Sequence, residues 1–431
     1  MPHIPILVLV AIVFALVVAA AANNVHLGLA ALLGGILFGL LRGLGPVETM
    51  RIAFVEALDP DTILLLVLIT SIMVFSAAMK NSGALTAFTR AVAFVAPSPR
   101  ASLTLTPLLI GTLPMPGGAI LSAPLVDALD PERRQGPDGL SAVNYWFRHV
   151  LELCWPLYPA FILTCTLGGI SAFRLSLLNL YVPVILVTLG QIFVIKGIGF
   201  RSAGSGRDRK SSLLDLGGFL PLAILLGAYL VLDPVARALA PGLGLDARGA
   251  ALFVRYSPIF AGLVAASLYV GLRNGFGSFR GAFSPAVLKL AGVIAGIRVF
   301  SALLEAGGVG RTGAAELAAL GIPAIAVAVI LPFISGIATG VGFAYVGIAF
   351  PIVLSLFPAG GAFPPEAAIV LAGAFGFAGM MLSPLHVCLV LTAEHFHAGI
   401  LPVLKRFILP LAIFLVVACA YVAVLARFLG G

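Results

Sequence analysis

Charged residues are scarce in this chain. Only 10% of its 431 residues are Asp, Glu, Lys or Arg, whereas 61% are hydrophobic and the mean hydropathy is +1.15. Soluble domains carry about 25% charged residues, so this surface cannot face water over most of its area. The apolar runs are continuous and about 20 residues long, the length with which an α-helix crosses the hydrocarbon core, and they lack the alternation of membrane strands. The composition therefore predicts an all-α membrane protein.

Cysteines and catalytic motifs are sparse as well. The four cysteines lie in apolar runs without paired spacing, so we interpret them as small hydrophobic residues and not as disulfides or metal ligands. The cluster Glu394, His395 and His397 only superficially resembles a metal site, because two histidines two positions apart do not share a helical face. With no glycine-rich nucleotide loop and no Ser/His/Asp or zinc-protease pattern in context, the sequence predicts no enzyme, no cofactor and no metal.

The chain contains an internal repeat. Residues 72–83 (IMVFSAAMKNSG) return 225 positions later as residues 297–308 (IRVFSALLEAGG), with six of twelve positions identical. Two further anchors keep nearly the same displacement: Pro107 and Gly111 match Pro332 and Gly336, and Pro156 matches Pro384. In a membrane protein, a duplication whose halves each hold a broken hydrophobic segment indicates a secondary transporter.

Each half has one apolar region that cannot be a single helix. Residues 101–126 carry a Pro-Met-Pro-Gly-Gly cluster through their middle, and proline costs roughly 3 kcal/mol in a helix interior. Residues 322–354 are interrupted in the same way at 335–342. Each arm of about 10 residues reaches about 15 Å, half a bilayer, so we interpret both regions as re-entrant helical hairpins. Irregular backbone at that depth must be buried in protein or line a wet cavity.

These regions define the predicted organisation. Residues 1–196 form the first repeat with hairpin 101–126, residues 197–212 form a polar linker, and residues 213–431 form the second repeat with hairpin 322–354. If neither hairpin crosses the bilayer, each half has five crossings. Five is odd, so about ten transmembrane helices form two inverted repeats.

The basic residues predict the orientation. With the linker in the cytoplasm, sixteen basic residues lie on its side and eight on the other, in agreement with the positive-inside rule. We therefore assign the formal charge of +8 to membrane topology and not to nucleic-acid binding. The expected protein is a multi-pass component of the inner membrane with both termini outside.

Two stretches resemble a known family. The runs GTLPMPGGAILSAP at 111–124 and NYWFRHVLELCWPLYP at 144–159 are similar to the DUF401 family of prokaryotic integral membrane proteins, which belongs to the ion-transporter superfamily. The resemblance covers essentially the whole chain. It implies two inverted repeats with two hairpins, elevator-like motion against a scaffold, and a homodimer. The Ser-Asn-Thr hairpin signature of the dicarboxylate symporters is absent.

The hairpin tips are the first candidate binding elements. Bends near the midplane free backbone N–H groups for an anion and carbonyls for a cation, and glycines let the backbone approach a ligand. The alternative is that the glycines serve only close helix packing. The helix breaks at Pro156 and Pro384 would face the tips, unless they are ordinary proline kinks. The predicted substrate-binding residues are Thr112, Pro114, Pro116, Gly117, Gly118, Ser335, Gly336, Thr339, Gly340, Gly342, Ser383, Pro384 and His386.

Ionisable residues within apolar spans are the second group. Asn144, Arg148 and Glu152 recur at a spacing of four, which would place them on one helical face. Arg148 could attract an anion and Glu152 could carry a coupling proton, or the two could form a local ion pair. Arg298 is either a counter-charge for the substrate or a structural partner of a carboxylate.

Together these features predict a secondary active transporter of a small organic anion, most plausibly a carboxylate, coupled to H⁺ or Na⁺. The main alternative is a cation/proton antiporter without an organic substrate. An intramembrane enzyme would need a nucleophile or a metal cluster at depth, and a passive channel would conduct without coupling. The expected partners are the small anion, the lipid bilayer and a second copy of the chain, with no nucleic acid.

Overall fold

A computed structural model describes most of the chain. The described residues are 5–23, 25–84, 98–113, 119–130, 132, 134–196, 220–358, 360–361 and 363–430. The predicted linker 197–212 and the proposed first hairpin tip, with Pro114, Pro116, Gly117 and Gly118, lie outside these residues. Regular structure in the described part is helical throughout, as the composition predicts.

Nineteen α-helices cover the described residues. In chain order they are α1 (Ile6–Ala22), α2 (Leu27–Leu41), α3 (Pro46–Ala57), α4 (Pro60–Asn81), α5 (Pro99–Gly111), α6 (Ala119–Leu129), α7 (Gly136–Arg148), α8 (Pro159–Gly168), α9 (Ala172–Leu178), α10 (Tyr181–Leu189), α11 (Leu220–Leu239), α12 (Ala247–Asn274), α13 (Pro285–Ala306), α14 (Val309–Ala319), α15 (Ala324–Thr339), α16 (Gly342–Leu356), α17 (Pro365–Met381), α18 (Val387–Phe396) and α19 (Ile400–Gly430). A short π-helix, Gly190–Val194, extends α10.

Five of the described helices are long and apolar enough to cross a bilayer alone. They are α4, α12, α13, α19 and α11 with its 3₁₀ extension to Leu243. A sixth crossing is possible if α8 and α9, bent by 106°, count as one span. The other apolar helices are shorter, and a helix of 15 residues reaches only about 23 Å at 1.5 Å per residue. The chain is thus a multi-pass helical membrane protein, while the count of about ten crossings stays a prediction.

The apolar stretch 144–170 is not one helix. α7 ends at Arg148, residues 149–158 form turns, and α8 begins at Pro159, whose missing N–H suits the first helical position. Glu152 therefore lies in the turn region, and the expectation that Asn144, Arg148 and Glu152 share one helical face is wrong. The counterpart stretch breaks in the same way, between the end of α17 at Met381 and the start of α18 at Val387.

α15 and α16 are joined by two residues and pack against each other. Gly340 takes a left-handed conformation (φ +63°), Val341 is extended, and α16 begins at Gly342. Glycine is needed at this turn for two reasons: L side chains rarely adopt that φ, and a Cβ at Gly340 would lie 2.8 Å from the Ser383 Oγ and the His386 N. This turn lies within the tip predicted at 335–342, but residues 335–339 of that tip continue α15.

α5 packs on α7, and α15 packs on α17, through backbone-to-backbone contacts at glycine. A Cβ at Gly111 would collide with the carbonyl oxygen of Arg148, and one at Gly336 would collide with that of Gly376. Gly111 and Gly336 are matched anchors of the sequence repeat, and Arg148 and Gly376 are related by the displacement of Pro156 to Pro384. The same close approach thus occurs at matched points of both halves.

Candidate functional site

A cavity of about 410 Å³ lies where the α15–α16 tip meets both helix breaks. Its polar lining comes from the turns after α7 and α17, from the tip, from the residue before α2 and from α13: Arg148, His149, Glu152, Tyr158, Gly340, Gly342, His386, Cys388, His26 and Lys289. Its apolar lining comes from several elements: Met73, Leu113, Pro159, Ala160, Leu290, Val293, Val341, Phe343 and Val387. A mostly apolar cavity with a few convergent polar groups is the usual form of a small-molecule site.

The break after α17 holds the tip in place. The Ser383 hydroxyl donates to the Ile337 carbonyl over 2.7 Å and accepts from the Leu385 N–H over 3.2 Å. His386 donates from Nδ1 to the Gly340 carbonyl. Carbonyls freed at the end of α15 are therefore satisfied by side chains of the second break, as buried backbone oxygens require. Pro384 lies between these two residues.

The break after α7 holds the end of α5 in the same manner. The Trp155 indole N–H donates to the Thr112 carbonyl over 2.9 Å, and the Tyr158 hydroxyl donates to the Gly111 carbonyl over 2.6 Å. The accepting carbonyls of Gly111 and Thr112 lie just before the residues that form the proposed first tip. The turn 149–158 therefore contributes side chains that hold the end of α5, and it is not a simple kink within a long helix.

The hydroxyls predicted at the tips bond back to their own helices. Ser335 donates to the Leu331 carbonyl over 2.8 Å, Thr339 to the Ser335 carbonyl over 2.7 Å, and Thr112 to the Leu109 carbonyl over 2.7 Å. Their protons are thus engaged, and only their acceptor lone pairs remain for a ligand. A direct substrate role for these three hydroxyls stays a prediction.

Arg148 is a buried cation that forms no ion pair with any of the described side chains. Its residue is 4% exposed, it lines the cavity, and its Nη1 has no hydrogen-bond partner among the described residues. The local ion pair with Glu152, one of the two sequence-based alternatives, is not formed between these two described side chains. An unpaired buried charge is costly, so this guanidinium favours the binding of an anion in the cavity.

Glu152 lies against the tip residue Gly342. A Cβ on Gly342 would collide with the Glu152 Oε1, so the carboxyl group packs directly against the start of α16. The other oxygen, Oε2, is buried and has no partner in the described part of the chain. Asn144 is instead a structural tie, because its amide donates to the Thr392 hydroxyl on α18 over 2.9 Å.

Arg298 lies in an ion cluster that does not line this cavity. Its guanidinium is 2.7 Å from the Glu56 carboxylate and 3.5 Å from that of Asp61, and its Nε donates to the Thr62 hydroxyl over 3.0 Å. Arg255 approaches the same Asp61 at 3.2 Å. These contacts support the second of the two sequence-based interpretations, a structural partner of carboxylates.

One group at the cavity was missed by the sequence analysis. The ligand atoms of His149, His386 and Cys388 lie within 4.8 Å of one another. This is the group suited to a metal among the described residues, whereas Glu394, His395 and His397 do not form one. The two histidines are 237 positions apart, so no local motif joins them. The repeat does not align them either, because His386 follows Pro384 closely whereas His149 precedes Pro156.

Comparison with known proteins places the chain in a family and a fold. Residues 6–425 match the family described as protein of unknown function DUF401, and the chain belongs to that family. The crystal structure of the Alcanivorax borkumensis YdaH transporter has a similar fold, with a TM-score of 0.57 and 14% sequence identity over 84% of each chain. Comparison with curated proteins gives no match.

Proposed function

We propose that this protein is a secondary active transporter that carries a small organic anion, most plausibly a carboxylate, through the cavity at the α15–α16 tip. The observation that carries the proposal is Arg148, a buried guanidinium that faces the cavity without a described counter-ion. The similarity to the fold of the YdaH transporter supports the class of function. Coupling uses H⁺ or Na⁺.

The proposed mechanism is alternating access by elevator-like motion. The two halves act as inverted repeats, and residues 101–126 and 322–354 act as re-entrant hairpins that enter the inner membrane from opposite sides. The matched contacts of Gly111 with Arg148 and of Gly336 with Gly376 support a duplicated architecture. The substrate rests between the tips, the hairpins move with it against a scaffold, and the working unit is a homodimer with both termini outside.

The anion would be held by charge and by shape. Arg148 supplies the positive charge, and its fork of N–H donors matches the two oxygens of a carboxylate. The apolar lining, which includes Met73, Leu290 and Val293, accepts the carbon skeleton of the anion. The cavity volume of about 410 Å³ suits a metabolite-sized ligand.

Uptake into proteoliposomes tests the proposal. The purified protein is reconstituted and offered a panel of radiolabelled carboxylates under imposed proton or sodium gradients. We expect saturable, gradient-driven uptake of at least one carboxylate, with a KM about 10- to 100-fold higher in Arg148→Gln, because a hydrogen bond to a charged group contributes about 1.5–3 kcal/mol.

Arg174→Gln is the matched control, since Arg174 is exposed and paired with Glu366. Its KM should equal that of the unchanged protein. Equal KM values for Arg148→Gln and the unchanged protein would remove the guanidinium from the site.

A cation/proton antiporter is the second candidate, and the unpartnered Glu152 carboxyl oxygen favours it. It predicts proton flux driven by a sodium gradient in vesicles that contain no carboxylate, abolished in Glu152→Gln. Proton or sodium flux that requires a carboxylate would support the anion transporter and contradict the antiporter.

A further inference from the structure

Three side chains with metal-binding atoms meet at one wall of the cavity. His149 lies in the turn directly after α7, His386 directly precedes α18, and Cys388 is the second residue of α18. Both histidines are buried, with 4% and 8% of their surface exposed. The three ligand atoms lie within 4.8 Å of one another, and all three residues line the cavity.

The hydrogen bonds of the two imidazoles define their tautomers. The Nδ1 of His149 lies 2.7 Å from the Tyr145 carbonyl oxygen, and the Nδ1 of His386 contacts the Gly340 carbonyl oxygen. A carbonyl oxygen can only accept, so both Nδ1 atoms carry hydrogen. Each neutral ring therefore has its lone pair on Nε2. This arrangement, with the outer nitrogen held by a carbonyl, is the one that metal-ligating histidines usually show.

The two lone pairs point at each other. The Nε2 atoms of His149 and His386 are 3.0 Å apart, so they repel unless an electrophile lies between or beside them. A shared proton between the two nitrogens, or a hydrogen bond between the Cys388 thiol and one of the imidazoles, would also relieve this repulsion. A metal ion uses all three atoms.

The donor set selects the kind of metal. Two imidazole nitrogens and one thiolate suit zinc-class and copper-class ions, and they do not suit sodium, magnesium or calcium, which prefer oxygen. With zinc–nitrogen bonds of about 2.0 Å and a zinc–sulfur bond of about 2.3 Å, tetrahedral ligand atoms lie about 3.3–3.6 Å apart. Small shifts of the observed side chains would reach these separations.

We propose that His149, His386 and Cys388 bind one divalent transition-metal ion of the zinc class, with the fourth coordination position open to the cavity. The ion would connect the turn after α7 to the α15–α16 tip, since His386 also holds the Gly340 carbonyl. The open position would take a water molecule or an anionic ligand. This site goes beyond the proposed transport function, which requires no transition metal.

Cobalt spectroscopy on the purified full-length protein tests the site. The protein is treated with a chelator and titrated with Co²⁺ as a spectroscopic probe. We expect one Co²⁺ per chain, intense visible bands of tetrahedral cobalt, a thiolate-to-cobalt charge-transfer band, and loss of these signals when Zn²⁺ is added. Cys388→Ser should lose the charge-transfer band, and His149→Gln should weaken Co²⁺ binding at least tenfold.

Cys419→Ser is the matched control, because Cys419 is an exposed cysteine of α19 outside the cavity. It should keep the full cobalt spectrum. A spectrum that survives in Cys388→Ser, or the lack of any tetrahedral cobalt signal in the unchanged protein, overturns the metal site and leaves a shared proton between the histidines.

Thiol protection provides a second test that needs no variant. Zn²⁺ should slow the alkylation of Cys388 by a maleimide at least tenfold and leave that of Cys419 unchanged, as measured by peptide mass spectrometry. Equal alkylation of Cys388 with and without Zn²⁺ contradicts the proposal. Neither test measures transport, so their failure and the failure of the uptake experiment are distinguishable.

Discussion

The two halves of the molecule hold their interrupted segments with matched contacts but different side chains. Trp155 donates to the Thr112 carbonyl, and Ser383 donates to the Ile337 carbonyl. Both donor and acceptor are related by the displacements found in the sequence repeat. A side-chain hydrogen bond to the broken helix thus occurs at the same position in both halves. Its donor is an indole N–H in the first half and a hydroxyl in the second.

The charges are not repeated. The positions of Arg148 and Glu152 are occupied by Gly376 and Met380 in the second half, and the position of Arg298 is occupied by Met73 in the first. The buried guanidinium of the cavity therefore comes from the first half, whereas the second half contributes the glycine tip and the exposed Lys289. The backbone contacts thus recur in both halves, whereas the charged side chains of the cavity occur in only one half each.

The largest expected effect is at the tip of the second half. Gly340→Leu should abolish transport while folded protein remains in the membrane, because the residue has φ +63° and its Cβ would meet Ser383 and His386. Uptake into proteoliposomes and size-exclusion chromatography are the measurements. Gly227→Leu on α11 is the control, since a Cβ there meets nothing within 4 Å. Normal uptake in Gly340→Leu would separate the tip from the mechanism. Gly117→Leu, at the other tip, is the corresponding sequence-based prediction.

Arg298→Met gives the second half the residue that the first half has. It should lower the free energy of unfolding by about 3–5 kcal/mol, because Glu56 and Asp61 lose a partner within a largely buried cluster. Unfolding in detergent measures this. The KM for the transported anion should not change, since Arg298 does not line the cavity. A raised KM with unchanged stability would show instead that Arg298 contributes to binding of the anion.

Tyr158→Phe and Ser383→Ala each remove one side-chain hydrogen bond to a backbone carbonyl, the first in the first half and the second in the second half. Each should cost about 1–3 kcal/mol, since a buried carbonyl, that of Gly111 or that of Ile337, loses its side-chain donor. The shift in the midpoint of thermal unfolding is the measurement. Similar losses in the two variants support equivalent roles for the two breaks. A loss confined to one variant would show that only one break depends on its hydrogen bond.

The smallest effect concerns the matched threonines of α8 and α18. Thr392→Val should cost about 1–2 kcal/mol, because the buried Asn144 amide loses its acceptor. Thr164→Val should cost less, since the Thr164 hydroxyl bonds only to the Ala160 carbonyl of its own helix. The same unfolding assay compares them. Equal costs would contradict an asymmetric role for Asn144.

Much of the fold could be predicted because apolar helix lengths and proline positions are local properties. Apolar runs of about 20 residues form single long helices, as in α4 and α13, and the stretches marked by Pro156 and Pro384 are interrupted as predicted. The extent of the first break, residues 149–158, was not predicted because Trp155 and Tyr158 bond to the end of α5, which is distant in sequence. The short helices α3 and α14 lie between the predicted apolar spans and were not predicted.

The candidate site was predicted in part. Arg148 and Glu152 were found because ionisable residues in an apolar span are rare. The sequence could not show that Arg148 and Glu152 form no ion pair or that Arg298 pairs with carboxylates. Both depend on where α3, α4 and α16 lie in the fold, and residue spacing does not give those positions. Pro114, Pro116, Gly117 and Gly118 lie outside the described residues, and their role remains a prediction.

By itself, the sequence determined that this chain is a multi-pass helical membrane protein, and its prolines marked the helix breaks at Pro156 and Pro384. Hydrophobic length and proline sterics act within a few residues, so they can be read from order alone. Only the tertiary structure decided which polar side chains contact each other. Arg298 pairs with carboxylates, two histidines and a cysteine come together at the cavity, and Arg148 has no ion-pair partner among the described residues. Those contacts depend on close packing between helices that lie hundreds of residues apart.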